Sequence, residues 1–149
     1  MSDLLDAVDT AHGNIERLAD PGALRDATEQ VMAVARQHGT QAILAASPVA
    51  ERLVGALLSS YSELVSLSSQ TALASQNVLI VDVNLASGTT VAQAARHARS
   101  LGVRRVHAVV LHQLTSVAAQ AADCGVDVLD VLGERPPACP SSTTDSGLW

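Results

Sequence analysis

Lysine and phenylalanine are absent from this chain, and tyrosine and tryptophan occur once each. Without lysine there is no Schiff-base or lysine–phosphate chemistry. Nine arginines are the whole basic complement against fifteen acids, for a formal net charge of −6. Arg104–Arg105 is the only adjacent basic pair. No cluster is left to neutralise a phosphate backbone, which excludes nucleic acid as a partner. Cysteine is equally scarce: Cys124 and Cys139 show no metal-ligand spacing, and a disulfide is not expected. Cys124 reads as a small buried hydrophobe and Cys139 as a tail residue. No apolar run approaches bilayer length, so no membrane partner is expected. The opening MSDLLDAVD is acidic and amphipathic, with neither a basic start nor an apolar signal core. The expected location is cytoplasmic.

What is present is aliphatic. Hydrophobic residues make up 48% of the 149 positions, so Val, Leu, Ile and Ala must fill the core. Such strands belong to a parallel sheet covered by helices on both faces. Apolar positions at Leu4, Leu5, Val8, Ala11, Ile15 and Leu18 predict a helix over 2–19. Asp20-Pro21 caps and opens a second helix, which His38-Gly39 ends. Strands are then expected at Gln41–Ala46, Glu63–Leu67, Val78–Val83, Val106–Leu111 and Val126–Leu132. Helices follow Ser47-Pro48, span Val91–Leu101 and span Ser116–Cys124, and Ser68–Asn77 is a polar loop. This alternation implies right-handed crossovers and a mainly parallel α/β sheet over 41–132, preceded by an N-terminal helical pair over 1–38. The whole of 1–132 is expected to form one domain. Residues 133–149, rich in Pro and Ser, read as a flexible tail.

The strongest strand, VLIVDV, ends in Asp82 and runs into VNLASGTT. Ligands of open parallel sheets bind at the C-terminal ends of strands. Ala86, Ser87 and Gly88 let a backbone approach closely. Ser87, Thr89 and Thr90 offer hydroxyls, and the following helix aims free N–H groups at the same spot, which suits a phosphate monoester. Asp82, expected at the strand tip, is placed to accept from sugar hydroxyls or to help bind Mg²⁺. The plainer alternative is a helix N-cap beside a strand-end acid.

The stretch VLIVDVNLASGTTVAQAARHARSLGVRRVHAVVLH resembles the signature of the type I phosphoribosyltransferases: apolar strand, acidic pair, Thr/Ser/Gly loop, helix. QAILAASPVAERLVGALL looks like that family's first strand, pyrophosphate loop and helix, and GVDVLDVL like its closing strand. The resemblance covers about residues 22–132 and implies a three-layer, parallel-sheet phosphoribosyltransferase-like fold. It further implies a site for 5-phosphoribosyl-1-pyrophosphate, with Mg²⁺ as cofactor. Asp82 takes the place of the acid that contacts the ribose hydroxyls and serves catalysis. Ala86, Ser87, Gly88, Thr89 and Thr90 take the place of the 5′-phosphate loop. Ala46, Ser47, Pro48 and Val49 take that of the pyrophosphate loop. Val83 stands where the family carries its second acid, Pro48 removes a backbone N–H, and only Ser68–Asn77 stands where the family has its long catalytic loop.

Beyond that unit, His112 ends a strand on the ligand edge, where it is placed to donate to a ligand or exchange a proton. Gln113 and Thr115 share its position. Arg96 and His97 read as a solvated helix face, and His107 as a packing residue within a strand. Asp127 and Asp130 fall on opposite faces of theirs. Arg52 faces either an anion or a surface partner such as Glu51 or Asp26. Two functions follow as expectations. One is a trimmed transferase moving a phosphoribosyl group to a base or similar acceptor. The other is a catalytically degenerate phosphosugar- or nucleotide-binding subunit with a regulatory or scaffolding role. A homodimer or small homo-oligomer is the expected assembly, and the two N-terminal helices are expected either to pack on the sheet or to build a dimer face.

Overall fold

Residues 2–68, 76–114 and 120–133 are described by the computed structural model, with side chains from residue 8 onward. Asp20 accepts from the Ala23 amide at 2.9 Å, and Gly39 closes the second helix in a left-handed conformation. Both ends of that helix are thus where turn chemistry puts them. The elements run α1 (Ser2–Arg17), α2 (Pro21–His38), β1 (Ala42–Ala45), α3 (Pro48–Ser60), β2 (Val65–Ser66), β3 (Asn77–Leu85), α4 (Thr89–Ser100), β4 (Arg105–Gln113), a 3₁₀ turn (Ala121–Cys124) and β5 (Val128–Val131).

The five strands form one parallel sheet in the order β2-β1-β3-β4-β5. β3 and β4 sit near its centre and are apolar on both faces, as a sheet covered on both sides requires. Leu79, Val81 and Val83 pack with Ile15, Leu18, Val31, Met32, Leu53 and Leu57, so α1, α2 and α3 cover one face. Val78 and Ile80 pack with Val91, Ala95 and Ala98 of α4 on the other. The order 2-1-3-4-5 is a common doubly wound arrangement whose topological switch point lies between β1 and β3, and ligand crevices form there.

Several boundaries differ from expectation. β3 continues past Val83 to Leu85, because Asn84 and Leu85 stay in register with His112 and Gln113 of β4. Asp82 is therefore inside the strand and not at its tip. β4 likewise encloses His112 and Gln113. The strand expected over Glu63–Leu67 contracts to Val65–Ser66 at the sheet edge. The helix expected over Ser116–Cys124 is described only in its last turn, a 3₁₀ turn. Thr115, most of the Ser68–Asn77 loop, Cys139 and the tail beyond Gly133 lie outside the described residues. Among the described residues no helix is long and apolar enough to cross a membrane.

Candidate functional site

Asp82 is only 4% exposed although it is a carboxylate. A buried charge persists when hydrogen bonds replace its water. Here Oδ1 accepts from the Ser47 hydroxyl at 2.9 Å and from the Val83 amide at 2.8 Å. Oδ2 accepts from the Thr90 hydroxyl at 3.0 Å. Ser47 is also the N-cap of α3, accepting from the Ala50 amide at 3.3 Å. One carboxylate thus ties the turn after β1 to the first turn of α4, across the switch point. The sequence reading singled out all three residues, and the fold brings them together through an acid–hydroxyl brace.

The turn that follows β3 is built differently from the other helix starts. Asp20 caps α2 and Ser47 caps α3 through their side chains, whereas α4 begins at Gly88 with no side-chain cap. Gly88 has φ +85°, a conformation that L side chains adopt with strain. Ser87 and Thr89 are exposed, and their hydroxyls meet at 2.8 Å. The Thr89 amide reaches Ser87 Oγ only at 3.4 Å. Ser87, Thr89 and Thr90 thus stand exposed beside exposed Ala86, whereas Gly88 and Val91 of the same turn are buried.

Gly88 itself departs from expectation. A Cβ there would lie 2.8 Å from Cys124 Sγ, so the close backbone approach is made by the protein's own 3₁₀ turn. Cys124 is fully buried, and burial raises its thiol above the ordinary range, with Asp123 adding to the effect. Its role is packing beneath the turn.

His112 stands elsewhere. It lines a cleft of about 310 Å³ with Asn14, Arg17, Asp26 and Gln30, on the α1–α2 side of the sheet. Burial lowers its imidazole below the ordinary range, and Arg17 acts in the same direction. A second cleft, about 240 Å³, lies between α1 and α3 and is lined by Ile15, Leu18, Pro48, Val49 and Arg52. Neither of these two clefts is lined by the Ser87–Thr90 turn. Arg52 lines the second cleft beside Pro48 and Val49.

Two features escaped sequence reading. Asn14 of α1, buried, donates to Asn84 Oδ1 at 2.8 Å, and Asn84 Nδ2 returns a bond to the Ala11 carbonyl at 3.3 Å. These two bonds from Asn84 to α1, one to a residue seventy positions away, hold α1 over the C-terminal end of β3. Asp130 meets His38 at 3.2 Å, and Asp127 accepts from the Val106 amide at 2.9 Å. Their odd spacing predicts opposite faces, but nothing in it names these partners.

Of the residues the resemblance assigns to Mg²⁺, Asp82 is the one carboxylate. Both Asp82 oxygens already accept hydrogen bonds from protein donors, three in all. Among the described residues no group of three or more His, Cys, Asp or Glu side chains is arranged to hold a metal ion. The chain matches no family model, and a search of curated proteins finds no relative.

Proposed function

We propose that this chain binds the phosphate group of a ribose 5-phosphate-type ligand at the Ser87–Thr90 turn, and that it acts as a binding module. The observation that carries this reading is the uncapped start of α4. Its N-cap residue supplies no side-chain acceptor, and only the Thr89 amide reaches a side chain, Ser87 Oγ at 3.4 Å; a helix start with donors left over suits an anion by dipole and by hydrogen bonding. Here it lies at the switch point of the sheet, flanked by the exposed Ser87 and Thr89 hydroxyls. Phosphoribosyl transfer asks more. It needs a carboxylate free to hold sugar hydroxyls and a metal, and Asp82 is occupied by Ser47 and Thr90. That arrangement favours retention of a phosphosugar, such as phosphoribosyl pyrophosphate or a nucleotide, over its turnover.

Thr89→Asp separates ligand binding from folding. A carboxylate in the first turn of α4 strengthens the helix by about 0.3–1 kcal/mol while repelling a phosphate from the same donors. Calorimetry is expected to show ribose 5-phosphate binding to the unmodified chain, no binding of ribose, and loss of binding in Thr89→Asp. The melting temperature of the variant should be unchanged or higher. Equal affinity in the variant, or no heat with ribose 5-phosphate, would overturn the reading. Val83 and Asp82 enter through a second titration, with phosphoribosyl pyrophosphate in the presence and absence of Mg²⁺. A binding module shows little Mg²⁺ dependence, whereas a transferase shows a strong one.

A further inference from the structure

At the far edge of the sheet, away from the Ser87–Thr90 turn, two imidazoles stack. His38 is the last residue of α2 and His107 the third residue of β4, and their ring centroids lie 4.3 Å apart at 38°. His38 Nε2 also meets Asp130 Oδ2 of β5 at 3.2 Å. His107 is 4% exposed, and its Nδ1 is buried without a hydrogen-bond partner. Three elements therefore converge on one pair of rings, and the inner ring sits in a place built for a neutral group.

We propose that this stack is a proton-operated latch, in which neutral His107 lets the end of α2 dock on the β4–β5 edge and its protonation releases that end. The groups facing His107 are His38 from α2, Asp130 from β5, Asp127 from the turn before β5, and Arg105 from β4 itself. Its register partner on β3, Leu79, is apolar. His38 sits at the C-terminus of a helix, where a cation is favoured, and has Asp130 beside it. A charge on His107 would be held out of water against the His38 ring, 4.3 Å away. Burial pushes His107 below its ordinary range. His38 and Arg105 push the same way, and Asp127 and Asp130 oppose them.

The sign follows by linkage. A histidine whose titration is lowered by folding binds protons more readily when unfolded. Its contribution to stability is present above the ordinary imidazole pKa of about 6.5 and is lost as pH falls below it. Release at this edge would also loosen β5, whose following residues Leu132 and Gly133 line the 310 Å³ cleft with α2.

The test pairs ring titration by NMR with urea unfolding at pH 7.5 and pH 5. In the unmodified chain the His107 ring should titrate below a free imidazole, and the unfolding constant should rise several-fold on acidification. Amide protection at the end of α2 and in β5 should fall before that of β3. His107→Asn should reduce the pH dependence, leaving the share that His112 carries. A His107 ring that titrates at or above the free value overturns the proposal, and so does uniform loss of protection. If His107→Asn does not fold, the ring titration and the protection pattern of the unmodified chain decide alone.

Discussion

Asp82 shows what a single residue could and could not announce. An acid closing the run VLIVD stands out because an uncompensated carboxylate does not belong in an apolar strand. Its compensation was not legible, since Ser47 lies thirty-five residues away and reaches it only through the pairing of β1 with β3. The same distance hid Cys124, which fills the space beside Gly88 that sequence reading assigned to a ligand. A small residue declares that something comes close without declaring what. Removing the Asp82 carboxylate should cost stability in proportion to the bonds it accepts. Charge-assisted bonds contribute about 1.5–3 kcal/mol each before relaxation, so Asp82→Ala is expected to lose about 3 kcal/mol overall in urea unfolding. Ser47→Ala, which loses one of those bonds and a helix cap, should lose about 1–2 kcal/mol. A loss below about 0.5 kcal/mol for Asp82→Ala would mean that the brace contributes nothing to the fold.

At the scale of elements, the starts of α2 and α3 were readable because Asp20-Pro21 and Ser47-Pro48 carry local cap chemistry, and both caps form. Strand ends were less readable. A strand stops where its neighbour stops pairing, and the register of β3 with β4 carries it two residues beyond the apolar run. That extension matters because it presents Asn84 to α1. The periodicity of α1 was visible, but the amide pair between Asn14 and Asn84 that docks it on the C-terminal end of β3 was not. Asn14→Ala would leave Asn84 Oδ1 without its donor inside a partly buried contact, while Asn84 Nδ2 keeps the Ala11 carbonyl. The expected loss is about 1–2 kcal/mol, with amide exchange in α1 accelerated more than in α3. Equal protection of α1 in both proteins would show that apolar packing through Ile15 and Leu18 alone holds it.

For the whole molecule, alternation of strands and helices was sufficient to foresee a parallel sheet covered on both faces, because crossovers between parallel strands admit little else. The strand order was beyond reach: the same string of elements is compatible with more than one arrangement, and long-range packing selects 2-1-3-4-5. That order places the turns after β1 and β3 side by side, which is the setting of the proposed phosphate site at the start of α4. The central claim is that donors of this one turn hold a phosphate. Amide NMR spectra of the full chain recorded during addition of ribose 5-phosphate test it directly. The largest shifts are expected at Ser87, Gly88, Thr89, Thr90 and Val91, saturating together, with ribose producing none. Shifts centred on Arg17 and His112, or none in the 87–91 turn, would contradict it.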